Sequence, residues 1–191
     1  PTTKAQYLAE SVPLPRALFS HSDQIDQWQT SVPQGMSELT GWGGRAADVL
    51  HASANTGQTA MGISLAGNNL FQVGSTVRQF VITADGALTL AGANTDAASD
   101  PLNPLRLKNA AQKSLLEQHY AGLMAESFAQ LTKTSLDAQE FFLSQFNSYD
   151  DSAVAGLFPG GNFLARQFRA AAKAIALRPQ LGLKRQTLFL S

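Results

Sequence analysis

Within residues 104 to 149, apolar residues recur at three-to-five-residue spacing at Leu116, Tyr120, Leu123, Phe128 and Leu131, and then again at Phe142 and Phe146. That period keeps them on one side of a helix. No proline interrupts the run and its only glycine is Gly122, so it predicts one long helix, or two joined near Thr132 to Asp137. Pro159-Gly160-Gly161-Asn162 reads as a loop and cap, followed by an Ala-rich amphipathic helix from Phe163 to Leu177 with Phe163, Leu164, Phe168 and Ile175 as its apolar positions. The middle of the chain has strand character instead. Gly62 to Gly67 and Leu70 to Val73 read as short strands around an Asn68-Asn69 turn. Gln79 to Thr83 and Ala87 to Leu90 flank Asp85-Gly86, a hairpin signal because both turn residues tolerate positive φ. Residues 91 to 104 read as a surface loop.

The front is punctuated more closely. Thr3 to Glu10 favours a short helix capped by Thr2 or Thr3, and Pro13 and Pro15 end it. Gln24 to Gln29 continues as a helix from a cluster of good capping residues, Ser20, Ser22 and Asp23. Pro33-Gln34-Gly35 is a turn, Thr40 to Gly44 a Gly-rich loop, and Arg45 to Ala52 a helix with Ala46, Val49 and Leu50 on one side. Leu188-Phe189-Leu190 has no alternation and suits a strand buried on both faces of a sheet. A helix followed by that strand implies a crossover connection, and no internal repeat is present. Pro1 in place of Met, and an apolar strand with nothing after it, read as an internal fragment of a larger domain.

Composition narrows the classes. The 191 residues carry 14 Lys+Arg against 14 Asp+Glu, and only 15% are charged, against roughly 25% in an average domain. A neutral chain lacks the basic face of a general nucleic-acid binder or of a polybasic membrane-surface protein. With 44% hydrophobic residues and 11 Phe it can bury a core. The absence of cysteine excludes a disulfide scaffold, a thiolate zinc site, an iron–sulfur cluster and a cysteine nucleophile. No run of about 18 apolar residues spans a bilayer, and no basic-then-apolar signal peptide opens the chain.

One cluster carries candidate chemistry. Ser20-His21-Ser22-Asp23 puts hydroxyls, an imidazole and a carboxylate together where a helix begins. There the aligned N–H groups and positive dipole end favour an alkoxide-like oxygen and an anionic substrate. A serine so placed is a nucleophile once a base or a metal lowers its pKa. The alternative is plain capping by Ser22 or Asp23. Thr40-Gly41-Trp42-Gly43-Gly44-Arg45 offers a guanidinium to clamp an anion; the alternative is a turn in which Trp42 fills a pocket. Neither this loop nor Pro159 to Asn162 has the Lys-Ser/Thr ending of a phosphate-cradling loop. His51 and His119 are solitary, Asp150-Asp151 reads as a solvated helix end, and Phe141, Phe142 and Phe146 as helix packing.

Several of these strings together resemble a known family. They are Pro1 to Tyr7, Pro13-Leu14-Pro15-Arg16-Ala17-Leu18-Phe19-Ser20-His21-Ser22-Asp23-Gln24, Gly41-Trp42-Gly43-Gly44-Arg45, Ile63 to Asn69, Asn162 to Leu177 and Gly182 to Ser191. The pattern is similar to the exported bacterial family catalogued as domain of unknown function 1501, itself similar to the alkaline phosphatase and sulfatase superfamily. The match covers most of the chain and is weakest from Ser75 to Asn103.

The resemblance implies an α/β fold: part of an alkaline-phosphatase-like sheet with packed helices, a β-hairpin insertion and a helix-rich second half. Residues 1–191 would form one domain, the middle slice of a larger one, with a Gly-Gly-Asn-Asp-like motif before Pro1 and a Gly-Gly-Phe-Asp-Thr-His-like motif after Ser191. It implies a twin-arginine export signal and a periplasmic or extracellular location. Ser20 is the nucleophile-like residue, with His21 and Asp23 beside it as metal or substrate contacts and Arg45 a distant grip on the anion. A divalent metal would be held in the full-length parent by ligands outside this chain, which alone would be inactive. The expected function is hydrolysis of phosphate or sulfate esters. The alternative is a non-catalytic cell-envelope or secreted module binding a polysaccharide or a protein. No nucleic acid and no membrane span are expected, and the rest of the parent or another subunit would pack on the terminal strand.

Overall fold

In a computed structural model the chain is mixed α/β, with about half of the described residues in helices and a small four-stranded sheet. The structure describes residues 2–15, 17–33, 39–87 and 103–191. The elements in chain order are α1 (Lys4–Leu8), α2 (His21–Thr30), α3 (Trp42–Ala54), β1 (Gly62–Ser64), β2 (Phe80–Thr83), β3 (Gly86–Ala87), α4 (Pro104–Leu116), α5 (Leu123–Ser148), α6 (Ser152–Ala155), α7 (Phe163–Ala176) and β4 (Thr187–Phe189). The sheet order is β3-β2-β1-β4. Contacts divide the chain into two compact units, Pro1–Val81 with Gly182–Ser191, and Ile82–Leu181.

The first unit is built on parallel pairing. β1 lies between β2 and β4, with Ile63 opposite Phe80 and Leu188, and Ser64 opposite Val81 and Phe189. Its buried apolar residues include Ala47, Met61, Ile63, Leu65 and Leu183. Polar side chains fix the loops. Asn69 Nδ2 donates to Ser64 Oγ and to Gln72 Oε1, both at 3.1 Å, and Gln72 Nε2 donates to the Thr187 carbonyl at 3.0 Å. A second pin stands at the end of α3. Asn55 Oδ1 accepts the N–H groups of Lys184 (2.9 Å) and Arg185 (3.0 Å), and its Nδ2 donates to the Arg185 carbonyl at 3.1 Å. These bonds lead the chain into β4.

The second unit is mostly helical. Ile82 and Thr83 of β2 pair antiparallel with Ala87 and Gly86 of β3, so a hairpin forms where the sequence predicts one, but its two turn residues are Ala84-Asp85 and Gly86 already belongs to the strand. The predicted hairpin residues Leu88 to Leu90 and most of the predicted 91–104 loop lie outside the described residues. Phe142 and Phe146 are buried and stack at 5.5 Å, as their spacing suggests. Ala129, Leu136, Ala138, Ala170, Ala171, Ala174, Leu177 and Leu181 complete the apolar core with Ile82 and Ala87.

Five expectations are corrected. The long helical run does break, but at Glu117 to Gly122 rather than near Thr132 to Asp137. Glu126 in the first turn of α5 takes the Tyr120 N–H at 2.8 Å and so fixes the joint. Leu70 to Val73 is a turn and not a strand, because Gln72 N donates to Asn69 Oδ1 at 2.9 Å and Val73 N to the Leu70 carbonyl. Trp42, Gly43 and Gly44 are helical rather than loop. A Cβ at Gly44 would lie 2.1 Å from the Val73 backbone, so the glycine serves close approach rather than a turn. On α7 the buried positions are Gln167, Ala170, Ala171 and Ala174, whereas Phe163, Leu164, Phe168 and Ile175 are exposed. The closing strand is half-buried rather than buried on both faces, and among the described strands β4 has a single neighbour, β1.

Candidate active site

The Ser-His-Ser-Asp cluster forms the start of α2. Ser20 is the N-cap residue in extended geometry (φ −91°, ψ 120°), reached through Ala17 in the left-handed region at φ 47°. Extended backbone followed by helical backbone turns the Ser20 side chain back over the first turn, where helix N–H groups lack partners. Its hydroxyl donates to Asp23 Oδ2 at 2.5 Å, lies 3.2 Å from Ser22 Oγ, and accepts the Asp23 N–H at 3.4 Å. Ser20 and Asp23 are half-buried, and His21 and Ser22 are exposed.

Three of the four sequence candidates therefore meet at one helix end, and the fourth does not join them. Arg45, in α3, donates from Nη2 to the Thr30 carbonyl at 2.6 Å and from Nη1 to the Thr40 carbonyl at 2.9 Å. Thr30 is the last residue of α2. Ten residues at about 1.5 Å rise place it roughly 15 Å from Ser20 along the helix. The guanidinium thus ties the last carbonyl of α2, where Ser31 leaves the helix at φ 58°, to the Thr40 carbonyl just before α3. Trp42 does not fill a pocket; it is 45% exposed and meets Phe71 edge-on at 4.7 Å.

The remaining candidates have structural partners. His51 Nδ1 lies 3.2 Å from Asn55 Nδ2, and His119 Nδ1 lies 3.4 Å from Glu126 Oε1. Asp150 accepts the Ser152 N–H at 3.0 Å. Asp151 is paired through both oxygens with Arg169, at 2.7 and 3.0 Å, and this pairing holds its carboxyl below the usual range.

Sequence reasoning passed over Asp48, the most strongly perturbed acid among the described residues. Its carboxylate accepts the N–H groups of Val77 (2.8 Å), Ser75 (2.7 Å) and Thr76 (3.0 Å), and the Thr76 hydroxyl at 2.8 Å. These donors, Val77 first, hold it far below the ordinary carboxylate value. The partners lie 27 to 29 residues away, so no local spacing marks the residue.

As donors for a metal the cluster is incomplete. Asp23 and His21 supply two groups, and among the described residues no set of three or more His, Cys, Asp or Glu converges. The residues present do not by themselves fit a divalent cation, whose oxygen or nitrogen shell needs more. What they can do is present a hydroxyl, oriented by a carboxylate, to an anion at a helix N-terminus. No helix among the described residues is long and apolar enough to cross a membrane. Comparisons of the chain with protein-family models, with curated proteins and with solved structures found no match.

Proposed function

We propose that this chain is the nucleophile-bearing part of an exported hydrolase of phosphate or sulfate esters, with Ser20 as the attacking residue. The observation that carries the reading is the 2.5 Å hydrogen bond from Ser20 Oγ to Asp23 Oδ2 at the N-terminus of α2. In this scheme Ser20 Oγ attacks phosphorus or sulfur in line with the departing alkoxide, and its proton leaves toward Asp23. The first-turn N–H groups and the helix dipole favour the anionic ester there. The resemblance to the alkaline phosphatase and sulfatase superfamily supports the same role for Ser20. A divalent metal belongs to the scheme only through donors that this chain does not supply, so no step is assigned to one. Arg45 has no step in this scheme, since its guanidinium bonds the Thr30 and Thr40 carbonyls, the first of them at the far end of α2 from Ser20.

The test is turnover of 4-nitrophenyl phosphate and 4-nitrophenyl sulfate by the parent protein, comparing Ser20→Ala and Ser20→Asn with the wild type. Asn is as good an N-cap as Ser, whereas Ala forfeits about 1 kcal/mol of helix stability. A structural Ser20 would thus be rescued by Asn, and a nucleophile would not. The expected result is loss of roughly 10²-fold or more in kcat for both variants. An unchanged rate in Ser20→Asn overturns the assignment.

A further inference from the structure

Unlike α2, α3, α5 and α7, helix α4 has no buried residue. Of its four leucines only Leu116 is half-buried, while Leu105, Leu107 and Leu115 are exposed. Between α4 and α5 lies a cavity of about 140 Å³, lined by Lys113, Leu116, Glu117, Lys133, Leu136 and Asp137. Little apolar surface therefore meets across this seam. A helix of 13 residues is marginal without such packing.

Carboxylates on α5 hold it instead. Glu140 pairs with Lys113 at 2.6 Å. Glu126 fixes the joint at residues 117–122: it accepts the Tyr120 N–H at 2.8 Å and the Gln130 amide at 2.7 Å, and lies 3.4 Å from His119 Nδ1. Tyr120 passes this hold on to α4, since its hydroxyl donates to the Leu115 carbonyl at 2.8 Å. The other charged groups along the seam are Glu117 and the Lys133–Asp137 pair at 3.1 Å. Arg106 and Lys108, further up α4, are exposed.

Both holds are charge-assisted, so protonating the carboxylates weakens them together. The donors to Glu126, the Tyr120 N–H first, keep its carboxyl below the ordinary 4.5. This hold is therefore whole above pH 4.5 and is lost as pH falls through the folded-state value. The joint has room to turn. It ends at Gly122, where a Cβ would meet Ala125 at 4.0 Å.

We propose that α4 is an acid-released strap: protonation of Glu126 and Glu140 frees it from α5 about the 117–122 joint while the rest of the second unit stays folded. Release uncovers Leu116 and Leu136 and opens the cavity between the helices. The strap lies wholly in the second unit and needs neither Ser20 nor Asp23, so it stands apart from the ester reading.

The full chain tests this directly. It has no cysteine, so a pair of spin labels goes only to Ala110→Cys and Ser144→Cys. Both sites are exposed, and each stands about one turn beyond the Lys113–Glu140 contact. Strong dipolar broadening is expected at pH 7. At about pH 3.5 it should be lost reversibly, with the ratio of open to closed α4 raised about tenfold or more. Far-UV circular dichroism should fall by no more than the 13 residues of α4 supply. The double variant Glu126→Ala, Glu140→Ala should be open already at pH 7 and little changed by acid, and Lys113→Ala should fall between. Broadening that persists in acid overturns the proposal, as does its absence at pH 7. A larger loss of helical signal at the same pH overturns it in favour of acid unfolding of the whole unit. A folded double variant that stays closed at pH 7 also overturns it; if that variant does not fold, the acid series on the labelled chain decides alone.

Discussion

The two units hold their shape by different means. The first relies on side-chain amides and carboxylates that bond to distant backbone: Asn55 to residues 184 and 185, Gln72 to Thr187, Asp48 to residues 75 to 77. The second relies on apolar volume, with stacked Phe142 and Phe146 and the small residues Ala170, Ala171 and Ala174. The difference follows from the elements. Strands of three or four residues bury little apolar surface, so the loops joining them need directional bonds to stay in register. Helices of 26 and 14 residues satisfy their own backbone and need only a packed face. The candidate site lies in the unit that is pinned rather than packed.

That contrast predicts an order of effects. Phe142→Ala should be the most damaging, because the side chain is wholly buried and the cavity is expensive: about 3–5 kcal/mol, read by denaturant titration of the helical circular dichroism signal. Tryptophan emission comes only from the first unit, so its transition should move less. If both transitions shift together, the two units do not behave separately and the contrast fails.

Asn55→Ala sharpens the other side. It leaves the Lys184 and Arg185 N–H groups without their acceptor, at a cost of about 1–3 kcal/mol. The tryptophan transition should report this loss, and amide exchange over residues 184–189 should quicken. A change confined to the helical signal would contradict the pinning role.

Asp48 gives the smallest effect and the one that depends on pH. Its folded-state pKa lies below the ordinary value of 3.8, so its stabilisation is complete above that value and is lost as pH falls through the folded one. Asp48→Asn should therefore lower the midpoint of the tryptophan transition at pH 7 and flatten its decline below about pH 4. A variant with the wild-type acid slope would mean that the carboxylate does not hold the 75–77 turn.

The contact at the start of α2 was legible because capping is local: Ser20 and Asp23 are three residues apart and the bond joins them directly. Arg45 was misleading for the opposite reason. A guanidinium beside glycines looks like an anion clamp until the fold brings the carbonyl of Thr30, fifteen residues earlier, to within 2.6 Å.

By itself the sequence determined what neighbours within about four residues decide. The caps at Thr3, Ser20 and Asn162, the existence of a hairpin beside Asp85, the helical period of the second half and the α/β class are all of this kind. Tertiary structure alone decided the features whose partners lie far along the chain. Gly43 and Gly44 turned out helical because Phe71 and Val73 pack against them, and Leu70 to Val73 became a turn in reach of Thr187. On α7 the buried side is alanine rather than phenylalanine, since small residues let another surface come close and large ones do not. Periodicity tells that a helix has two sides; only the packed fold tells which one is covered.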